Sequence, residues 1–346
     1  MNRLIIIRSK TGLYSFLVQK RTVIVLTVLV ILTFALFLLS IALGNKGISP
    51  VDVWKTLIGQ GTAANSLVLG TLRLPRIIVA VLVGAALSVS GAILQGIIRN
   101  PLASPDVIGI TGGAALAAVT FLTYFAGTVS IKWLPVAAFL GAGLISLVIY
   151  VLAWNKGVSS TRLVLIGIGI SATASSFTML MIILSPINAA SQAYTWLTGS
   201  IYGASWDNVY ALLPWVIVFM PVALIYSRNV NVQELGDDMA KGLGASVQLH
   251  RFMLLFISVA LAGSAVAVAG AIGFIGLIAP HMARKLVGSS FDALFPVAAL
   301  IGSIMLMSAD LVARTVFLPL DIPAGVFTAG IGAPFFIYLL YRNRNK

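Results

Sequence analysis

The feature that most constrains this chain is a succession of apolar runs, each about as long as a bilayer is thick. A helix needs about 20 predominantly apolar residues to cross the hydrocarbon core. Such runs are read near 22–43, 77–98, 106–126, 133–154, 163–184, 208–227, 252–272, 274–288, 292–313 and 322–341. Inside hydrocarbon the backbone must satisfy its own hydrogen bonds, which a helix does within one segment. The fold class expected is therefore all-α: a polytopic membrane helix bundle of about ten transmembrane helices. Composition agrees, because only 9% of the residues are charged and 60% are hydrophobic. A soluble domain carries about 25% charged residues. The weakest run is 274–288, which contains Pro280, His281, Arg284 and Lys285 and is read as broken or tilted.

The first run follows Arg3, Arg8, Lys10, Lys20 and Arg21, as a secretory signal would. It is longer than a signal h-region and no small-residue cleavage site follows cleanly, so a retained first helix is expected. Ten spans put both termini on one side. With the termini cytoplasmic, only Lys46, Lys55, Arg73, Arg76, Lys132 and Arg314 of the 22 basic residues fall outside. That is the asymmetry the positive-inside rule demands.

The net charge of +13 does not point to nucleic acid, because the basic residues sit at the ends of apolar runs. Such a distribution suits topology and anionic lipid. The chain has no Cys and two His, so neither a thiolate nor a His-rich metal site is available, and none is expected. No nucleophile, base or metal constellation suggests a catalytic residue. No G-x-x-x-x-G-K-[ST] occurs, so the chain carries no nucleotide-binding P-loop of its own. Asp106, Asp292 and Asp310 lie near the ends of spans, and mid-span carboxylates that could relay protons or sodium are missing. A transporter without relay or ATPase must borrow its energy. An ion-coupled secondary transporter remains the rival reading.

Three polar stretches stand out. The segment of about 229–250 is cytoplasmic and holds Glu234, the only Glu, followed by Leu235, Gly236, Asp237, Asp238, Met239, Ala240, Lys241, Gly242, Leu243 and Gly244. Acidic residues first, Lys near the end and Gly as a stop suit a short helix, which could dock a soluble partner or be a plain solvated loop. Arg73, Arg76 and Arg314 stand on the outer face, where basic residues should be scarce. They suit an acidic external partner or an anionic substrate; lipid headgroups, or an i,i+4 pair of Asp310 with Arg314, are the plainer options. Arg99 to Asp106 is a Pro-broken turn, and Ser159 to Arg162 opens the fifth span on the same side. Asn100, Leu102, Ser160 and Thr161 could narrow a passage there, or serve only as turn and cap. His281, beside Pro280, is read as structural. A weak repeat pairs Val89-Ser90-Gly91-Ala92-Ile93 with Val268-Ala269-Gly270-Ala271-Ile272.

Taken in order, LRLPR at 72–76, GAALSVSGAILQGIIRNPLASPDVIGITGGAAL at 84–116, LGDDMAKGLGA at 235–245, AVAGAIGFIGLIAPHMAR at 267–284, ADLVAR at 309–314 and IPAGVFTAGIGAPFFIYLL at 322–340 resemble the FecCD family. These are permeases of type II ABC importers for iron siderophores, haem and vitamin B12. The resemblance implies a single transmembrane permease domain over 1–346 that forms half of the pathway with a second, identical or different, permease. It implies two ATPase subunits that bind ATP and Mg and dock on Glu234, Leu235, Gly236, Asp237, Ala240, Leu243 and Gly244. It implies an extracytoplasmic binding protein that meets Arg73, Arg76 and Arg314, and an inner closure at Asn100, Leu102, Ser160 and Thr161. No cofactor is expected on the chain itself. Its partners are other proteins and membrane lipid, not nucleic acid. Lys241-Gly242 departs from the family, which more often places a longer polar or basic side chain before Leu-Gly.

Overall fold

A computed structural model describes residues 4–8, 15–44, 47–317 and 320–342. Arg3, Lys10, Lys46 and the basic residues after Arg342 lie outside the described residues. Each of the ten apolar runs corresponds to a helix. These are α1 (Lys20–Ala42), α4 (Leu74–Ile98), α5 (Ile110–Tyr124), α6 (Leu134–Ala153), α7 (Ser160–Leu184), α9 (Trp206–Glu234), α11 (Val247–Ala269), α12 (Ile275–Val287), α13 (Phe291–Thr315) and α14 (Ala324–Arg342). Between them lie α2 (Pro50–Leu57), α3 (Ala63–Leu67), α8 (Ile187–Thr198) and α10 (Asp237–Gly242). A short antiparallel hairpin, Leu4–Arg8 with Ser15–Gln19, precedes α1 and adds strand to the all-helical expectation. Its Ile5, Ile6 and Ile7 are β-branched, which favours extended backbone.

The centre of the bundle is α4, whose apolar span is 83% buried, against 17% for α1 and α9. Small residues give it that place. A methyl group at Gly84 would collide with the Gly302 carbonyl of α13, and one at Gly91 with the Gly276 carbonyl of α12. Without side chains there, the backbones approach closely, as membrane helices do where no hydrophobic force separates helix from lipid. Polar contacts add register. Ser90 Oγ and Ser258 Oγ stand 2.7 Å apart, Gln95 donates to the Leu277 carbonyl at 3.2 Å, and Ser303 donates to the Val81 carbonyl at 2.8 Å.

Three departures from the expected spans matter for the site. Helix α12 has 13 residues, about 20 Å at 1.5 Å per residue, too short to cross a core of about 30 Å. Non-helical backbone at 270–274 precedes it, where Gly270 adopts φ +71. Such backbone is tolerated at membrane depth where protein covers it, and Gly270 and Ile272 are buried. The two copies of the weak repeat accordingly differ in structure: residues 89–93 are helical throughout, whereas the second copy leaves the helix after Ala269. Helix α9 has 29 residues, about 44 Å long, and so outruns the bilayer. It carries Glu234 and α10 beyond the membrane on the side where α4 ends.

The ends of the helices sort onto two faces. On one, the end of α1 meets Arg73 and Arg314, Lys132 pairs with Asp207 at 2.9 Å, and Trp206 Nε1 donates to the Gly70 carbonyl at 2.8 Å. On the other, Arg21 donates to the Lys285 carbonyl at 3.1 Å and Asn231 Oδ1 accepts from Phe291 N at 2.9 Å. This is the threading that the basic residues require, with the second face cytoplasmic.

Candidate functional site

On the cytoplasmic face, α9 ends because Gly236 takes φ +103, a conformation that L side chains rarely adopt. The chain turns there and forms α10 over only six residues, Asp237–Gly242, with Gly244 at φ +81 closing the turn toward α11. Helix α10 has two faces. Ala240 is fully buried against the bundle. Leu235, Met239 and Leu243, spaced four apart, are 59%, 64% and 65% exposed. Met239 lies within α10, whereas Leu235 precedes the Gly236 turn and Leu243 caps the end of the helix. Asp238 and Lys241 are exposed as well.

The acidic residues do not share that outward direction. Glu234 faces Arg284 of α12 at 3.5 Å. Asp237 Oδ1 accepts from Arg251 Nη2 at 2.8 Å and lies 3.5 Å from Arg99 Nη2. Arg99 stands just past the end of α4 in the left-handed region, φ +57. Arg251 is 1% exposed, and its Nη1 donates to the carbonyl of Val158, two residues before α7. Gln248 holds Val158 from the same helix, accepting from its N at 2.9 Å and donating to its carbonyl at 3.4 Å.

The expected closure residues lie within this region. Ser160 is buried and donates to the Ile97 carbonyl at 2.9 Å, which joins the start of α7 to the end of α4. Ser159 caps α7, accepting from Arg162 N at 3.3 Å. Asn100 Oδ1 accepts from Leu102 N at 2.9 Å and shapes the turn after α4. Thr161 and Asn100 are exposed and Leu102 is half-buried. The two segments, expected on the same side, lie beside each other, with Ser160 facing α4 and Thr161 exposed.

On the outer face, Arg73, Arg76 and Arg314 form one network. A π-helical turn, Val68–Arg73, brings Arg73 under the end of α1, where Nη1 donates to the carbonyls of Ile41 and Ala42. Arg314 Nη2 donates to the Ser40 carbonyl at 2.6 Å. Positive charge at a helix C-terminus meets the negative end of its dipole. Arg76 donates from Nε to Asp310 at 2.8 Å and as a fork to Asp321 at 2.7 and 2.8 Å. Asp310 also lies 3.5 Å from Arg314, the i,i+4 pair that the sequence offered. Arg73 and Arg314 are each 6% exposed, so these guanidinium groups face into the chain.

Sequence reasoning missed Arg251, Gln248 and Val158 on the inside and Asp321 on the outside. Nothing in spacing pairs Asp237 with Arg251, which meet only because α10 folds back. Met239 could have been found, because it is the one large apolar residue within Asp237–Gly242. His281 packs edge-on to Phe335 with ring centroids 6.0 Å apart, in keeping with a structural role. Among the described residues no cluster of three or more His, Cys, Asp or Glu could hold a metal ion.

The same architecture and sequence recur in known transporters. The model of the FecCD transport family matches residues 31–342. The probable siderophore transport system permease protein YfhA of Bacillus subtilis is 50% identical over 95% of this chain and 97% of its own length. The achromobactin transport system permease protein CbrC of Dickeya dadantii is 46% identical over 97% and 96%. The Fe(3+) dicitrate transport system permease protein FecD of Escherichia coli is 41% identical over 87% and 93%. A solved structure, the inward-facing conformation of a provisionally assigned metal-chelate type ABC transporter, superposes with a TM-score of 0.83 at 30% identity, covering 92% of this chain and 99% of that one. Fold, family match and near-complete coverage agree, and this chain belongs to the FecCD transport family of multi-pass ABC importer permeases, whose ATP is hydrolysed by a separate subunit.

Proposed function

We propose that this permease carries a ferric chelate, with an iron–siderophore complex as cargo, and that two permeases face each other across the pathway. The observation that carries the cargo reading is the 50% identity, over nearly the whole of both chains, to a relative named for siderophore transport. Relatives named for achromobactin and for ferric dicitrate support the same class. A two-permease pathway is supported by burial: the apolar spans of α6, α7 and α9 are 22%, 22% and 17% buried within the chain, which leaves wide apolar faces for lipid and for a second permease.

Segment 229–250 serves as the coupling segment of a single permease unit. Two ATPase subunits, one on each permease, dock on α10 through Leu235, Met239 and Leu243, with Gly236 and Gly244 setting the turn and Ala240 seating it. Glu234 and Asp237 hold that turn to the bundle. Arg73, Arg76 and Arg314 serve an extracytoplasmic binding protein by fixing the outer rim, with Arg76 and the partly exposed Asp321 nearest the contact. Asn100, Leu102, Ser160 and Thr161 form the cytoplasmic closure.

The test is uptake by cells lacking the endogenous permease and supplied with this one. Radiolabelled iron is offered as hydroxamate, catecholate or citrate chelate, with cobalamin and haem alongside. Uptake of at least one ferric chelate that stops with loss of the permease is the expected result. Uptake of cobalamin or haem alone would reject the cargo.

A further inference from the structure

We propose that Arg251 is the positioning residue that couples the ATPase-docking helix to the cytoplasmic closure, with Asp237 as its anchor. The inference rests on the reading that an ATPase sits on α10.

Four segments that must act together in transport meet at this one ion cluster. Helix α10 enters through Asp237. Helix α11 contributes Arg251 and Gln248. The end of α4 contributes Arg99, next to Asn100. The start of α7 enters through Val158, two residues from Ser160. The bonds run in series: Asp237 to Arg251 at 2.8 Å, then Arg251 to the Val158 carbonyl. A branch joins Asp237 to Arg99 at 3.5 Å. A displacement of α10 is thus delivered to both sides of the closure, and Ser160, bonded to Ile97 at 2.9 Å, ties those sides together.

The chemistry suits a stiff link. A guanidinium holds two acceptors at once in a fixed planar fork, which Lys cannot do. Arg251 uses one Nη for a carboxylate and the other for a carbonyl. Its burial at 1% exposure removes competing water, which strengthens each bond and penalises opening either. Met239 on α10, with Leu235 before it and Leu243 at its end, is exposed instead. The helix therefore separates a face that binds the ATPase from a face that passes its motion on. The docking reading alone does not require that separation, since an acidic cluster meant for the ATPase would face outward.

Arg251→Lys keeps the charge and loses the fork, and Asp237→Asn keeps the shape and loses the charge. Both are tested in the complete importer purified with its ATPase and reconstituted in proteoliposomes. Amounts are normalised to monodisperse complex, and chelated radiolabelled iron uptake is divided by phosphate released. We expect the ATPase to co-purify with both variants and hydrolysis in Arg251→Lys to stay within about twofold of wild type. Uptake per ATP should fall at least about tenfold, as losing a charge-assisted hydrogen bond does to a two-state equilibrium. A purely structural role would lower the yield of folded complex and leave that ratio unchanged. An unchanged ratio in folded Arg251→Lys and Asp237→Asn overturns the proposal. Loss of the ATPase from Asp237→Asn also overturns it, by assigning that carboxylate to the docking contact. The docking reading is judged separately with Leu235→Ser, Met239→Ser and Leu243→Ser combined. If that triple variant retains the ATPase, the docking reading fails, whatever Arg251 does.

Discussion

At the scale of single residues, the outer face is governed by what it costs to bury a charge. Asp310 is 2% exposed and lies 2.8 Å from Arg76 and 3.5 Å from Arg314. Removing one partner from a buried ion pair costs about 3–5 kcal/mol, because the other charge is left without compensation. Asp321 lies nearer water, and pairs at the surface contribute only about 0–1 kcal/mol. Asp310→Ala is therefore expected to lower the thermal midpoint of the detergent-solubilised permease well below that of Asp321→Ala, followed by loss of the monodisperse peak on heating. Equal midpoints would show that burial does not govern this network. The i,i+4 relation of Asp310 and Arg314 was legible in the sequence. The stronger contact, from Arg76, was not, because 234 positions separate it from Asp310. The same limit hid Arg251: the sequence showed a cationic residue near a span, and only the fold-back of α10 supplied its anion.

At the scale of elements, apolar length was the reliable signal. Each of the ten runs became a helix, since hydrocarbon leaves the backbone few alternatives. Helices α2, α3 and α8 were not anticipated. They are short and lie outside the spans, and α2 and α3 begin at local caps, the Ser49 and Thr62 side chains that accept from Val51 N and Asn65 N. The weakness of the eighth run was visible in Pro280, Arg284 and Lys285, and α12 is indeed too short to cross. Close packing around α4 was visible only as a richness in Gly, which does not say which glycines matter. The structure separates them. Gly91→Leu drives a side chain into the backbone of α12, where overpacking by even modest groups costs about 1–3 kcal/mol. Nothing lies within 4 Å of a Cβ at Gly143, so Gly143→Leu should be tolerated. We expect Gly91→Leu to give aggregated or degraded permease and Gly143→Leu a normal size-exclusion profile. The reverse order would mean that α4 is not the packing centre.

For the whole molecule, the informative quantity is how unevenly the spans are buried. Those of α6 and α7 are 22% buried within the chain, against 72% for α11. Part of that apolar face meets lipid and part is expected to meet a second permease. Thr161, exposed at the start of α7, is the position from which to test it. The absence of native Cys makes Thr161→Cys a single-site probe. A bifunctional thiol reagent should join two permeases when the partner is identical, or this chain to a Cys at the matching site of a different partner, with a yield that depends on nucleotide. Absence of any crosslink in every nucleotide state and with either partner would remove Thr161 from the closure. The family was legible because its motifs recur in order along the chain. The division of faces on α10 was not, because it depends on which side of a six-residue helix looks inward.

The capping of α1 has a consequence for how the protein is made. Of the ten spans described, this helix leaves the ribosome before the others, yet the carbonyls at its outer end are held by Arg73 and Arg314. The bond from Arg314 to Ser40 closes 274 residues later. At ~5–20 residues per second that is a wait of about 14–55 s during synthesis. Until α13 is inserted, the first helix has no second clamp on its outer end and little packing along its length. A chain truncated before α13 thus leaves α1 loose in the bilayer, in a form that membrane quality-control proteases can distinguish from a finished one.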